Sequence, residues 1–212
     1  MDAVCFDMDG VIVDSERHWA TLEAEHIFPE TVDGDVTPAE IAGMNVDDLY
    51  DYMAEHYEPT VSREGFIGAY DDAAETLYYE RAALFPEFHA LLDALREQGV
   101  GAALVSSSPH RWIAMVLDRF DLEGAFDAVV SVEDIDGPGK PAPDVYRHAT
   151  AQVGVDSEDC VAVEDSTHGT AAAVDAGLTC YGYTGASDEP ADLTRADAVA
   201  ADPGELRALL GV

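Results

Sequence analysis

Short apolar runs without polar alternation recur along the chain, and this pattern restricts its fold more than any other feature. The runs are residues 3–6, 102–105, 128–132, 160–163, 178–181 and 198–201. Stretches with helical spacing lie between or after them, at residues 87–98, 109–120, 143–153, 167–176 and 203–210. Continuous apolar strands that alternate with helices are typical of parallel sheets covered on both faces. The pattern therefore predicts a doubly wound, Rossmann-like α/β fold with a mostly parallel sheet.

One long stretch interrupts this alternation. Between residues 15 and 83 there is no clear strand, and the best helical candidates are residues 38–42, 46–55 and 63–83. Ligands of open parallel sheets bind outside the carboxyl ends of the strands, so an insertion after the first strand is placed to cover such a site. We predict a Rossmann-like core domain of residues 1–14 and 84–212, with an inserted all-helical cap domain of residues 15–83.

Polar and charged residues follow four of the predicted strands. Carboxylates come after the first and fourth strands, serines after the second, and a lysine lies in the Gly/Pro-rich loop after the third. These residues are Asp7, Asp9, Ser106, Ser107, Lys140, Glu164 and Asp165. A parallel sheet brings the carboxyl ends of its strands to one edge, so we expect these side chains to share a single crevice.

A purely structural role is the alternative for these residues, because Asp and Gly are common in turns and Asp side chains cap backbone amides. Lys140 argues against it. It is the only lysine of the chain, since the other basic residues among the 10 Lys and Arg are all arginines. Capping carboxylates would need neither a lysine nor a serine at the same edge, so the set favours a functional site.

The charges of this crevice predict a divalent cation. Four carboxylates that are so close cannot all stay ionised without compensation, and one lysine offsets only part of their charge. Mg²⁺ prefers carboxylate oxygens together with water and phosphate oxygens. We therefore expect a Mg²⁺ site here.

Four segments also resemble a known family. In order, they are DMDGVIVD, the apolar run that ends in Ser106, GKPAPDVY and EDSTHGTAAAVDAG. They resemble the four motifs of the haloacid dehalogenase superfamily, and most closely its branch with a small helical cap, which includes phosphatases and β-phosphoglucomutases. The resemblance covers the core nearly end to end, whereas the cap is similar only in position and helical character.

The resemblance implies a role for each residue of the crevice. Asp7 would be the nucleophile that forms an aspartyl-phosphate, and Asp9 the general acid and base. The phosphoryl oxygens would be held by Ser106, Ser107 and Lys140. The Mg²⁺ ion would be bound by Asp7, the backbone carbonyl of Asp9, and Asp165, with Glu164 in or next to the metal shell.

The cap residues favour hydrolysis over phosphate transfer within a sugar. The resemblance to the mutases calls for a histidine one residue after His18, where Trp19 stands, and for a cap arginine where Asn45 and Val46 stand. We expect a hydrolase of a small phosphorylated metabolite, with Arg17 and His18 as substrate contacts. A β-phosphoglucomutase-like mutase and a non-catalytic phosphate-binding module are the alternatives.

The net charge of −34, from 44 acidic and 10 basic residues, is spread along the chain. With 48% hydrophobic residues this indicates a folded protein with an acidic surface, as in a salt-loaded halophile cytoplasm. It argues against nucleic acid or an anionic membrane as a partner and predicts a cytoplasmic monomer. The separate Cys5, Cys160 and Cys180 predict buried free thiols.

Overall fold

The computed structural model describes residues 1–37, 41, 44–185 and 191–212. Its strands are β1 (Ala3–Phe6), β2 (Val32–Asp33), β3 (Glu58–Pro59), β4 (Gly101–Ser106), β5 (Ala128–Ser131), β6 (Cys160–Glu164), β7 (Thr179–Tyr183) and β8 (Ala198–Ala200). A six-stranded sheet has the order β5-β4-β1-β6-β7-β8, and all its neighbouring strands are parallel. The predicted α/β fold class is confirmed, because each apolar run forms a strand of this sheet.

The helices of the described residues lie on both sides of the sheet and in the insertion after β1. They are α1 (Glu16–Leu22), α2 (Phe28–Thr31), α3 (Val46–His56), α4 (Arg63–Thr76), α5 (Phe88–Glu97), α6 (His110–Arg119), α7 (Asp144–Val153), α8 (Thr167–Asp175) and α9 (Pro203–Leu210). Alternate residues of β1 enter different cores: Val4 and Phe6 belong to one apolar cluster, and Ala3 and Cys5 to the other. This explains why the strands carry no polar alternation, since both faces are buried.

The insertion is mostly helical, with some differences from the sequence prediction. The helix expected over residues 63–83 ends at Thr76 and continues as one π-helical turn, Leu77–Arg81. The first helix of the insertion, α1, was not among the predicted candidates. A two-residue antiparallel ribbon pairs β2 with β3. The helix predicted for residues 38–42 lies outside the described residues, except for Ile41.

The chain leaves and re-enters the core at adjacent points. The backbone N–H of Asp14 donates to the carbonyl oxygen of Ala83 at 3.1 Å, and the Ala83 N–H donates to Asp14 Oδ1 at 2.6 Å. Val13 and Leu84 form an antiparallel bridge beside them. The division into a core and a cap at residues 14 and 84 stays a prediction. Among the described residues, no helix combines the length and the apolar character that crossing a bilayer requires.

Candidate active site

A cavity of about 810 Å³ opens at the carboxyl edge of the sheet, beneath the inserted helices. The expected crevice residues that line it are Asp7, Asp9, Ser106, Ser107, Lys140 and Asp165. Glu164 is fully buried just behind this surface. The parallel sheet therefore brings together all the residues that the sequence analysis assigned to one crevice.

Lys140 lies at the centre of the charged groups. Its Nζ donates to Asp7 Oδ1 and to Glu164 Oε1, each at 2.6 Å, and to the Val105 carbonyl oxygen at 3.2 Å. Only 5% of its side chain is exposed. Burial alone would lower the pKa of Lys140, but the Asp7 and Glu164 carboxylates raise it above its ordinary value. The lysine is therefore a permanent cation that joins the ends of β1 and β6.

The carboxylates around Lys140 form a group of suitable size for a metal ion. Asp7, Glu164 and Asp165 each offer an oxygen, and these oxygens lie within 4.8 Å of one another. Burial raises the pKa of Asp7 well above its ordinary value, although Lys140 opposes the shift. Burial, together with the negative charge of Glu16, also raises the pKa of Asp165. The cluster thus lacks positive charge, and its oxygen donors are those that Mg²⁺ binds in proteins.

Two glycines allow the loops to approach these carboxylates. Gly10 has φ +79°, and a Cβ atom there would lie 1.7 Å from Asp165 Oδ2. Gly169 lies in the first turn of α8, and a Cβ atom there would lie 2.0 Å from the carboxyl atoms of Glu164. Any side chain at either position would displace a carboxylate of the cluster.

Glu164 is held by groups on three sides. Besides the bond from Lys140, its Oε1 accepts a hydrogen bond from the Tyr146 hydroxyl at 2.6 Å, and its Oε2 accepts one from Ser166 Oγ at 3.1 Å. Tyr146 is fully buried on α7. These contacts fix the Glu164 carboxylate, so it orients Lys140 in addition to offering an oxygen to the acidic cluster.

Asp9 has a different environment from Asp7. Its Oδ1 accepts hydrogen bonds from Ser15 Oγ at 2.5 Å and from the Tyr78 hydroxyl at 2.7 Å, and its Oδ2 accepts one from Ser108 Oγ at 2.9 Å. None of the three donors was predicted from the sequence. Tyr78 has the helical spacing of a packing residue, and nothing in the pattern indicates that its hydroxyl reaches a residue 69 positions away.

Ser106 and Ser107, at the end of β4, differ in burial. Ser106 is buried, and its Oγ accepts a hydrogen bond from the Ser108 backbone N–H at 3.0 Å. Ser107 is half-buried and lines the cavity beside it. Both serines line the cavity that Asp7 and Lys140 also line.

The two expected substrate contacts of the cap differ in position. Arg17 lines the cavity and forms an ion pair with Asp14. His18 is not among the cavity-lining residues, and its buried Nε2 has no hydrogen-bond partner in the part of the chain that the structure describes. Burial, and to a smaller extent Arg17, lowers the pKa of His18. The geometry thus offers Arg17, and not His18, to a ligand in this cavity.

Other residues that line the cavity belong to no motif. They carry carboxyl groups, aromatic rings and aliphatic side chains, and include Glu16, Trp19, Glu23, Leu49, Tyr70 and Trp112. Their helices are far apart along the chain, so the sequence alone did not bring them together.

The first 177 residues match the model of the haloacid dehalogenase-like hydrolases. The chain belongs to this family. Hexitol phosphatase B of Escherichia coli (strain K12) is 34% identical over 171 residues, 79% of this chain and 76% of that protein. A phosphorylated carbohydrates phosphatase of Thermotoga maritima is 30% identical over 204 residues, 94% of this chain and 93% of that protein. The expected hydrolase of the phosphatase type is confirmed.

Solved structures share the fold. A putative β-phosphoglucomutase from Thermotoga maritima has a TM-score of 0.76 at 27% identity and is covered completely, as is this chain. CbbY from Rhodobacter sphaeroides in complex with phosphate has a TM-score of 0.81 at 22% identity, over 95% of this chain and 94% of that one. The small-cap branch of the family, to which the motifs pointed, is therefore also confirmed.

Proposed function

We propose that the protein is a Mg²⁺-dependent phosphate-monoester hydrolase that acts on a small phosphorylated metabolite through an aspartyl-phosphate intermediate. One observation carries the proposal: the Asp7 carboxylate lines the cavity with Lys140 at 2.6 Å, and Asp165 and Glu164 complete an acidic cluster beside it. Phosphoryl transfer depends mainly on positioning and on neutralising charge, which this arrangement provides.

Asp7 is proposed to attack the phosphorus atom. A bond forms between phosphorus and a carboxylate oxygen of Asp7 while the ester P–O bond breaks, and the leaving oxygen takes a proton from Asp9. Water then attacks the phosphorus atom of the aspartyl-phosphate and gives its proton to Asp9. This second step restores the Asp7 carboxylate and releases inorganic phosphate.

The neighbouring residues bind the phosphoryl group and its counterion. Ser106, Ser107 and Lys140 are proposed to donate hydrogen bonds to the phosphoryl oxygens, and Lys140 also holds Asp7 in place. A Mg²⁺ ion would be held by Asp7, Asp165 and the Asp9 backbone carbonyl, with Glu164 next to it. When bound, the ion supplies positive charge for the transferring phosphoryl group.

The named relatives support a small phosphorylated metabolite as substrate, because two of them are phosphatases named for hexitols and for phosphorylated carbohydrates. The net charge supports a cytoplasmic monomer without a nucleic-acid partner. Transfer within a sugar is less well supported. A mutase must grip a second phosphate, whereas Asn45 and Val46 replace the expected arginine and residues 15–83 contain no lysine.

The test is phosphate release from a panel of small phosphate esters in molar KCl, with and without Mg²⁺. The Asp7→Asn variant is expected to lose turnover at least about 1,000-fold, because the nucleophile is gone. Asp35→Asn is the matched control, since Asp35 is exposed and does not line the cavity. Turnover that survives in Asp7→Asn would contradict the mechanism. Binding of a phosphate ester with no turnover by the wild type would favour the binding module.

A further inference from the structure

Trp112 is a residue of the α/β core that lines the cavity beside aromatic residues of the insertion. It lies in the first turn of α6, which begins two residues after Ser108. Its ring centroid is 5.2 Å from that of Trp19 in α1 and 6.5 Å from that of Tyr70 in α4. Because the serines at the end of β4 lead directly into α6, a short stretch of backbone sets the position of Trp112 relative to them.

The aromatic group of Trp19, Tyr70 and Trp112 lies on the side of the site where the leaving group of an ester is expected. The proposed mechanism places the leaving oxygen beside Asp9, which gives it a proton. The Tyr78 hydroxyl donates to Asp9 Oδ1 at 2.7 Å, and the Tyr78 ring meets the Trp19 ring edge to face at 6.1 Å between centroids. The atoms that leave with this oxygen therefore have the aromatic group as a neighbouring wall.

Asp71 of α4 fixes the Trp112 ring from outside the cavity. Its Oδ1 accepts hydrogen bonds from Trp112 Nε1 at 2.7 Å and from Arg111 Nε at 2.8 Å. Trp112 is buried, and a buried indole N–H that loses its acceptor is destabilising, so the ring keeps the orientation in which this bond forms. The ion pair with Arg111 is partly exposed, and such pairs contribute little. The bond to the indole is therefore the contact that matters for the cavity.

We infer that Trp112 is a contact for the leaving group of the ester, and that Asp71 is a positioning residue that holds Trp112 in place. The inference rests on the proposed hydrolase function, and it adds a residue of the core to the leaving-group side of the site. The flat indole ring offers apolar contact to a carbon skeleton or an aryl ring. Asp71 is not among the described residues that line the cavity, so its effect on a ligand passes through Trp112.

Two ligands distinguish the two sides of the site. p-Nitrophenyl phosphate carries an aryl leaving group, whereas inorganic phosphate, used as a competitive inhibitor, occupies the phosphoryl side alone. The full chain is assayed with Mg²⁺ in molar KCl. In Asp71→Ala and in Trp112→Phe, we expect KM for p-nitrophenyl phosphate to rise at least about fivefold while kcat changes less than about twofold. The inhibition constant of phosphate should keep its wild-type value, because the phosphoryl side is unchanged.

Three further variants separate the indole bond from the surrounding charges. Asp71→Asn keeps an oxygen that accepts from the Trp112 N–H, so it should restore the wild-type KM. Arg111→Met removes the ion pair and leaves the indole bond intact, so its KM should also equal that of the wild type. Asp72→Ala is the matched control, because Asp72 is an exposed neighbour on α4 that is not among the described lining residues.

Tryptophan emission reports the position of the ring independently of turnover. The chain contains 2 tryptophans, and their rings are in contact. We expect Asp71→Ala to shift the emission to longer wavelength, because the Trp112 ring gains exposure to water, and Asp71→Asn to emit as the wild type does. Identical emission from Asp71→Ala and the wild type would contradict the positioning role.

The outcomes separate this inference from the proposed function. A wild type that hydrolyses no ester would overturn the hydrolase, and the inference with it. Hydrolysis of p-nitrophenyl phosphate with the wild-type KM in Asp71→Ala and Trp112→Phe would overturn only the inference. An equal rise in KM and in the inhibition constant of phosphate would also overturn it, because the phosphoryl side would then be affected. Trp112→Phe keeps the test usable if Asp71→Ala does not fold.

Discussion

The two ends of the cavity differ in how their charges are satisfied. At the strand ends, Lys140 joins Asp7 and Glu164 in a buried network that leaves its side chain 5% exposed. At the cap end, Glu23 accepts a hydrogen bond from the Tyr70 hydroxyl at 3.1 Å, and Arg17 is paired with Asp14. The first end is thus organised by a buried ion-pair network, whereas the second has weaker and more exposed contacts. We expect the first end to bind the phosphoryl group and the second to contact the rest of the substrate.

The largest effect is expected at the network of Lys140. Lys140→Met leaves buried carboxylates without their cation, so we expect kcat to fall by about 1,000-fold and stability by about 3 kcal/mol. Arg17→Met, at the other end, removes an exposed ion pair and should cost less than about 1 kcal/mol. Phosphate release and thermal unfolding measure both effects. Equal losses of stability in the two variants would contradict the proposed difference between the two ends of the cavity.

Substitutions of two glycines, Gly169 near the strand ends and Gly68 in the insertion, compare how tightly these two regions are packed. Gly169→Ala would place a Cβ atom 2.0 Å from the Glu164 carboxyl group, and we expect a loss of about 3 kcal/mol because that buried group must move. Gly68 lies in α4, where an added Cβ atom would meet no neighbouring group within 4 Å. Gly68→Ala should therefore stabilise the protein by about 0.5 kcal/mol through helix propensity. Chemical denaturation measures both, and a Gly169→Ala variant as stable as the wild type would contradict the tight packing.

The raised pKa of Glu23 predicts a pH dependence at the cap end. Its pKa is about 8 in the folded protein and near the ordinary value of 4.5 in the unfolded chain, so the folded state binds more protons between these values. Wild-type stability should therefore fall as the pH rises through this window. Glu23→Gln removes the effect and, allowing for partial exposure, should be more stable than the wild type by about 2 kcal/mol at high pH.

Thermal midpoints at about pH 5 and about pH 9 in molar KCl check this prediction, with the window taken from the ordinary and raised carboxyl values. Glu25→Gln serves as the control because Glu25 is exposed. A gap between Glu23→Gln and the wild type that is the same at both pH values would show that Glu23 is not perturbed in the folded state.

The smallest effect concerns Tyr78, which connects the inserted helices to Asp9. Tyr78→Phe removes one of three hydrogen bonds to this carboxyl group, and we expect kcat to fall about tenfold with little change in KM. Tyr79→Phe is the control, since Tyr79 is 42% exposed and its hydroxyl bonds to Asp118 at 3.3 Å. A rise in KM with unchanged kcat would instead indicate that Tyr78 contacts the substrate body.

Many residues of the site at the strand ends could be predicted, because a parallel sheet brings the carboxyl ends of its strands to one edge. Asp7, Lys140 and Asp165 are far apart along the chain, but each follows a recognisable apolar run, so the topology alone brings them to one edge. The network beyond them was not predictable. Tyr146 belongs to one of the recognised segments, yet its bond to Glu164 depends on how α7 packs against the sheet.

The cap end was harder to predict for a different reason. Its wall is assembled from α1, the π-helical turn Glu23–Ile27 that follows it, α3, α4 and α6, and the relative placement of these elements depends on side-chain packing and not on a shared edge. His18 illustrates the difficulty: a neighbour of Arg17 in sequence, it does not line the cavity that Arg17 lines. The halophile interpretation of the net charge of −34 stays a prediction that the salt dependence of the thermal midpoint would test.

The hydrogen bonds between Asp14 and Ala83 hold the two ends of the inserted segment next to each other. The residues between Asp14 and Ala83 are connected to the core through these two adjacent positions. Insertions, deletions or a wholesale exchange of that segment would leave the register of the six strands unaltered, because the two ends stay adjacent. The substrate specificity of such a protein can therefore change through the inserted segment, while the residues proposed for phosphoryl transfer stay the same.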